Sequence, residues 1–216
     1  MIIESNKPIL NSLKLNSIAK ESVVVSNIDD LHEVSRHINN NNLKYLILGE
    51  GTNIIPPEFF DGLIIKSNFN FMSFSTPKII NVGSAVNWDE LVQFTLENKI
   101  KGFENLSLIP GSVGASPIQN IGAYGAEVSS LIDEVECFDF SKNKSINLSN
   151  NECNFAYRSS SLKNSSLFIQ SIKFKVDESR TLNSEYKSIK TFMSSNNIDA
   201  KQLTSKSLAK IVTDIR

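Results

Sequence analysis

The sequence predicts an α+β fold in which a small βαβ lobe precedes a larger mixed lobe, and three observations carry that prediction. A β-branched run at 23–25 is followed by apolar positions at helical spacing, Ile28, Leu31, Val34 and Ile38, and then by the apolar segment 45–48. Further along, segments 79–82, 135–140, 146–148 and 168–176 read as strands separated by polar turns. Between them, 108–125 sets Gly111, Gly114, Gly122 and Gly125 with Pro110 and Pro117 among small residues, a composition of neither helix nor strand.

In the first lobe Asn27 is placed to cap the helix, and the asparagine cluster at 39–42 ends it. The strand at 45–48 runs into the turn Gly49-Glu50-Gly51-Thr52-Asn53, and 63–65 follows as a further strand. Residues 67–78 are polar and aromatic without helical period and mark a boundary, so this lobe spans residues 1–68.

The second lobe spans 69–203 and opens with the strand at 79–82. Asn87 then stands three residues before Glu90, at capping-box spacing. The helix that follows carries Trp88, Leu91, Val92, Thr95 and Leu96 on one side, a stripe that belongs to the core. The segment 168–176 alternates, with Phe168, Gln170, Ile172, Phe174 and Val176 on one face and Ile169, Ser171, Lys173 and Lys175 on the other, as a half-buried antiparallel strand does. At the end, Leu208, Ile211, Val212 and Ile215 form an apolar helical face that either docks on the core or marks an architecture cut short.

Composition narrows the function. With 40% hydrophobic residues the 216-residue chain can bury a core, and its net charge of -1, with both signs interspersed, excludes a basic stripe for nucleic acid or an anionic membrane. No apolar run approaches the roughly 20 residues of a membrane span. The start Met1-Ile2-Ile3-Glu4-Ser5-Asn6-Lys7 lacks a signal-peptide core, so the expected compartment is the cytoplasm. Cys137 and Cys153 have no CxxC spacing and read as reduced structural thiols. His32 and His37 fall on different faces of their helix, read as surface residues, and leave no metal site to expect.

Two glycine-rich turns carry the chemistry. Short side chains at Ser112, Ala115 and Ala123 leave main-chain N–H groups free to face an anion, and two such loops fit an elongated ligand such as a dinucleotide pyrophosphate. Neither turn alone is specific: Ile54 occupies the third glycine position of GxGxxG, and no Lys-Ser/Thr pair makes a Walker A loop. Arg158, within Phe155-Ala156-Tyr157-Arg158, is either a guanidinium gripping a carboxylate or phosphate or a surface arginine stacked on Tyr157. Tyr124 and Tyr186 are ring platforms or packing residues.

Taken together, Ile47 to Asn53, Glu104 to Ala115, Pro117 to Gly125 and Phe155 to Arg158, with Asn11-Ser12-Leu13 near the start, resemble the UDP-N-acetylenolpyruvoylglucosamine reductase family over essentially the whole chain. The resemblance implies the two-lobed FAD-binding fold of the PCMH/vanillyl-alcohol-oxidase type. It implies an oxidoreductase of peptidoglycan synthesis, and so of cell-wall biogenesis, in which NADPH drives FAD-dependent reduction of UDP-N-acetylglucosamine enolpyruvate to UDP-N-acetylmuramate. Carried over by position, Gly49, Glu50, Gly51, Thr52 and Asn53 with Pro110, Gly111, Ser112, Gly114 and Ala115 hold the FAD pyrophosphate, and Asn120, Gly122, Ala123, Tyr124 and Gly125 line the flavin. Arg158 is the catalytic residue that polarises the enolpyruvyl carboxylate, and Tyr157 and Tyr186 join it in binding the nucleotide-sugar substrate. The implied full-length protein is a monomer.

The resemblance also sets a departure. Members continue into a substrate-binding domain whose Gly-Ser-Phe-Phe motif supplies the proton-donating serine, and these 216 residues contain no Gly-Ser-Phe-Phe. The expectation is therefore an FAD-binding portion with the third domain absent and 204–216 as the start of a connection to it. Without the general acid, turnover would lose roughly 10²- to 10⁴-fold. The alternative is a noncatalytic flavin-binding fragment or inactive relic.

Overall fold

The computed structural model describes residues 1–163 and 165–216. Strands β1 (Ile3–Pro8), β2 (Ile18–Val25), β3 (Tyr45–Ile47) and β4 (Phe59–Ser67) form one sheet in the order β1-β2-β4-β3. β1 and β2 are antiparallel, while β2, β4 and β3 run parallel. Parallel strands need a crossover, and α1 (Ile28–Asn41) supplies it between β2 and β3, with β4 inserted between the two. The Asn27 side chain accepts from the Asp30 amide at the start of α1, and Asn42 closes it in the left-handed region at φ 47°. The asparagine cluster thus ends the helix as expected, with 39–41 forming its last turn.

After the short hairpin β7 (Gly122–Ala123) and β8 (Ala126–Glu127) is set apart, the second sheet consists of β5 (Met72–Thr76), β6 (Ile79–Gly83), β9 (Ile132–Asp139), β10 (Lys144–Ser149) and β11 (Leu167–Lys175). It is antiparallel throughout, in the order β10-β9-β11-β6-β5. Helix α2 (Trp88–Glu97) buries Trp88, Leu91, Val92, Thr95 and Leu96, the stripe expected from the sequence. Trp88, Phe103 and Phe174 meet there with ring centroids 5.5–6.3 Å apart, and the Trp88 indole donates to the Leu106 carbonyl at 2.9 Å. Truncating any one of these rings would cost about 3–5 kcal/mol.

The two sheets are joined through α1. Leu31, Val34 and Ile38 pack with Leu63 and Ile65 of the first sheet and with Phe138, Phe140 and Phe168 from the second lobe. Ser35 Oγ adds a bond to the Phe140 carbonyl at 3.1 Å. This shared core fixes the separation of the lobes, and with it the width of the space between their glycine-rich loops.

Several sequence expectations are corrected. Ile28 is exposed, and Ser35 takes its place on the buried face of α1. β1 and β5 form from segments to which the sequence assigned no strand, because pairing with β2 and β6 decides them more than their own weak patterns do. In β11 a bulge between Ile169 and Ser171 breaks the expected alternation: Phe168 faces the α1 cluster, while Ile169, Ile172 and Phe174 all join the cluster around Trp88. Asn87 receives no return bond from Glu90, so the capping box is half formed. His32 and His37 are half-buried, bonded to Asn143 at 2.9 Å and Glu21 at 2.7 Å.

The terminal apolar face is docked. α3 (Lys187–Ser195), polar enough to escape a periodicity reading, presents Ile189 and Met193 to Leu208, Ile211 and Val212 of α4 (Ser205–Ile215). Thr204 and Ser207 cap α4 reciprocally. Cys137 and Cys153 are free and buried in the second lobe's core. No helix among the described residues is long and apolar enough to cross a membrane.

Candidate functional site

The lobes leave a cleft between the loop at 49–53 and the segment at 110–116. One part, of 210 Å³, is lined by Gly49, Glu50, Gly51, Thr52 and Asn53 from the first lobe and by Pro110, Ser112, Ala115, Ser116 and Gln119 from the second. The adjoining part shares Gly49, Ser112, Ala115 and Gln119, reaches Gly114, and extends between β3 and the start of β11 for 750 Å³. Such a volume suits a cofactor-sized ligand.

Local geometry leaves the amides of the first loop unpaired among the described residues. Asn11 folds the N-terminal turn by accepting the Leu15 amide at 3.0 Å, which puts Ser12 in place to bind the Gly51 carbonyl through its amide at 3.1 Å and the Thr52 carbonyl through Oγ at 3.3 Å. In a trans peptide the C=O and the following N–H point in opposite directions, so the Thr52 and Asn53 amides are directed away from that turn. Among the described residues, none of the amides from Gly49 to Asn53 donates to another protein group. Gly51 makes the turn at φ 71°, where a Cβ would lie 2.2 Å from the Leu10 carbonyl oxygen. Successive unpaired N–H groups of this kind concentrate positive potential without any lysine or arginine.

The facing segment is built in the same way. The Gly111 carbonyl accepts the Trp88 amide at 2.9 Å and the Val113 amide bonds Val86 at 2.8 Å, leaving the Ser112 amide without a protein acceptor among the described residues. A Cβ on Gly49 would lie 2.6 Å from Ser112 Oγ, so glycine there lets the two loops approach. Ser116, 1% exposed, has an Oγ with no hydrogen-bond partner among the described residues. Unpaired amides, an orphaned hydroxyl and glycine-lined walls fit the pyrophosphate of a dinucleotide cofactor. At the larger end, burial and the Asp139 charge push the Tyr45 hydroxyl above its usual value. Burial works against ionisation of Asp139 itself, but bonds from Ser141, Ser166 and Lys142 outweigh it and hold the carboxyl at about 2.

The remaining candidates gather on a neighbouring face, around the β7–β8 hairpin. Arg158 donates to the carbonyls of Gly122 at 2.5 Å and Asn120 at 3.2 Å, and its guanidinium lies 5.3 Å from the exposed Tyr157 ring. The Tyr124 and Tyr186 rings meet edge to face at 5.6 Å. Gly125 is held by Asn183, and Asn105 ties the Tyr124 and Asn183 carbonyls together at 2.9 and 2.8 Å. The Asn120 side chain is buried and committed to Glu127, Ala156 and Ser129, and its backbone N–H and C=O are bonded to Pro117 and Arg158. Asn120, Tyr124 and Arg158 all adopt positive φ, and strain clustered in this way is a mark of functional surfaces. The cleft lining includes Ile121 but not Gly111, Asn120, Gly122, Ala123, Tyr124, Gly125, Tyr157, Arg158 or Tyr186.

Ser116, Gln119 and Asn105 are absent from the sequence-derived set. Ser116 lies inside the glycine-rich motif, and its missing partner emerges only from three-dimensional burial. Among the described residues no group of three metal-ligating side chains converges.

The fold and the cleft define a two-lobed α+β protein with a cofactor-sized cleft between its lobes. The chain belongs to the FAD binding domain family, whose profile matches residues 20–148. Its relatives include proteins named UDP-N-acetylenolpyruvoylglucosamine reductase. The one from Buchnera aphidicola subsp. Baizongia pistaciae is 35% identical over 156 residues, covering 71% of this chain and 47% of the relative. The one from Bdellovibrio bacteriovorus is 37% identical over 194 residues, covering 87% and 58%. The chain thus spans about half the length of the curated relatives it matches. Among solved structures, the reductase of Thermus caldophilus superposes with a TM-score of 0.72 at 18% identity, over 99% of this chain and 68% of that one. Physcomitrella patens BBE-like 1 superposes at 0.60 and 13% identity, over 79% and 39%. At these identities the likeness establishes the fold, which is the two-lobed FAD-binding type expected from the sequence.

Proposed function

We propose that this chain is the FAD-binding portion of a reductase of peptidoglycan precursor synthesis, which uses NADPH to convert UDP-N-acetylglucosamine enolpyruvate to UDP-N-acetylmuramate. The observation that carries the cofactor reading is the run of unpaired amides at 49–53 opposite Ser112 and Ser116. Bound FAD supplies hydride-transfer chemistry. The nest amides and the Ser112 amide offset the pyrophosphate charge, and Ser116 Oγ donates a further hydrogen bond. Tyr45 and Lys163 in the larger cleft would hold the cofactor's adenosine portion, and Ile121, with Tyr124 beyond it, would face its flavin.

Arg158 holds the enolpyruvyl carboxylate of the nucleotide sugar. Negative charge grows on that group as the double bond is reduced, and a guanidinium already fixed by the Gly122 and Asn120 carbonyls meets it without reorganisation. Two of its five N–H donors are committed to those carbonyls, which leaves three for a bidentate grip. Tyr157 and Tyr186 flank the same face.

A second reading is a flavin-binding module without turnover, which the same unpaired amides support equally. Gel filtration of the purified chain with FAD, followed by anaerobic NADPH addition, separates the two. Co-eluting flavin that bleaches with NADPH supports the reductase, co-eluting flavin that does not bleach supports the passive module, and a flavin-free folded chain overturns both.

A further inference from the structure

We infer that Asn87 is a positioning residue that latches the 49–53 nest of the first lobe to the 110–116 segment of the second. The inference rests on the FAD reading of the cleft only for its effect on affinity. Asn87 stands where three elements meet. Its Oδ1 caps α2 by accepting the Asp89 and Glu90 amides at 2.9 and 3.4 Å. Its backbone pairs with Ser112, through the Trp88–Gly111 and Val86–Val113 bonds on either side. Its Nδ2 crosses to the first lobe and donates to Glu50 Oε1 at 2.9 Å.

The cross-lobe bond matters because little else holds the two loops in register. Thr52 Oγ1 reaches the Pro110 carbonyl only at 3.5 Å, and the approach of Gly49 to Ser112 is a contact of shape. Glu50 is also the one carboxylate among residues 49–53, a poor neighbour for a phosphate unless its charge is engaged elsewhere. The Asn87 amide engages it. Asparagine serves both ends because it presents an acceptor to the helix and a donor to Glu50, a pairing that an aspartate carboxylate cannot supply.

The test uses N87D, which keeps a good N-cap but sets a carboxylate against Glu50. The double variant N87D/E50Q reverses the polarity, with the amide introduced at position 50 donating to the carboxylate introduced at position 87. In the FAD-free chain, ¹⁵N order parameters at residues 49–53 are expected to fall in N87D and to recover in N87D/E50Q, while α2 stays ordered in both. FAD affinity is expected to weaken roughly tenfold in N87D and to return within about threefold in the double variant. Unchanged order parameters at 49–53 in N87D, or a loss that E50Q does not reverse, overturn the latch. A wild-type chain that takes up no FAD overturns the cofactor reading instead, and the order parameters then decide the latch alone.

Discussion

Arg158 Nη2 donates to the Gly122 carbonyl at 2.5 Å from a residue whose own backbone sits at φ 52°. The guanidinium is therefore bonded to the hairpin it faces while its backbone bears left-handed strain, and the two effects can be separated by mutation. Arg158→Ala loses the bonds and keeps the strain; Arg158→Gly loses the bonds and relieves it. Urea denaturation is expected to find the glycine variant about 1 kcal/mol more stable than the alanine variant. Equal stabilities would mean that the surrounding turn imposes no strain at this position.

Gly51 and Gly125 both have positive φ, yet they differ in their surroundings. A methyl group on Gly51 meets the Leu10 carbonyl oxygen at 2.2 Å, whereas on Gly125 its nearest neighbour is the Asn183 amide nitrogen at 3.2 Å, part of a side chain that can shift. Gly51→Ala is expected to cost about 2–4 kcal/mol and abolish FAD binding, because the Leu10 backbone cannot yield without dismantling the nest. Gly125→Ala is expected to cost about 1 kcal/mol, the left-handed term alone. Paired chemical denaturation and flavin titration check both, and comparable losses at the two sites would contradict the steric argument.

How far the fold was legible in the sequence depended on where the information lay. α1 and α2 were legible because Leu31, Val34, Ile38 and Trp88, Leu91, Val92 repeat at helical spacing behind asparagine caps. β1 and β5 were not, since their exposed residues carry no pattern and their partners are distant in sequence or specified by register. The bulge that turns Ile172 and Phe174 to the opposite face from Phe168 leaves no trace in an alternating sequence. For the site, the glycines announced both loops. What no local pattern could supply was the relation between loops, such as Asn87 to Glu50 or Gly49 to Ser112, which exists only once the shared core around α1 sets the lobes in place.

The buried thiols contribute a loss of stability at alkaline pH. Burial pushes Cys137 up to about 12, helped by the nearby Cys153, and pushes Cys153 up to about 11. Above about pH 9 the unfolded chain releases both protons while the folded chain retains them, so unfolding gains favour as pH rises. The stability these groups contribute is complete below pH 9 and is lost progressively toward pH 11–12, with a slope of up to about 2.7 kcal/mol per pH unit while both thiols differ. Comparing the denaturation midpoints of wild type and C137A/C153A from pH 8 to 10.5 isolates this contribution from other alkaline groups. Parallel curves for the two proteins would rule it out.

Ser116 offers a test in which stability and binding move in opposite directions. Its Oγ is buried without a partner among the described residues, so the FAD-free chain bears the cost of a desolvated hydroxyl with no bond to offset it. Ser116→Ala removes that cost and is expected to stabilise the FAD-free chain by about 1 kcal/mol. If the hydroxyl donates to the pyrophosphate, the same substitution weakens FAD binding by roughly three- to tenfold, the value of one hydrogen bond to a charged acceptor in a partly solvated cleft. A residue that merely packs would shift both quantities together or neither, because loss of volume destabilises the fold and loosens the site alike. Melting of the FAD-free variant alongside flavin titration reads both at once. A gain in stability with unchanged affinity would place the phosphate beyond the reach of Ser116 and return its role in the cleft to the amides of Gly49 to Asn53 and Ser112.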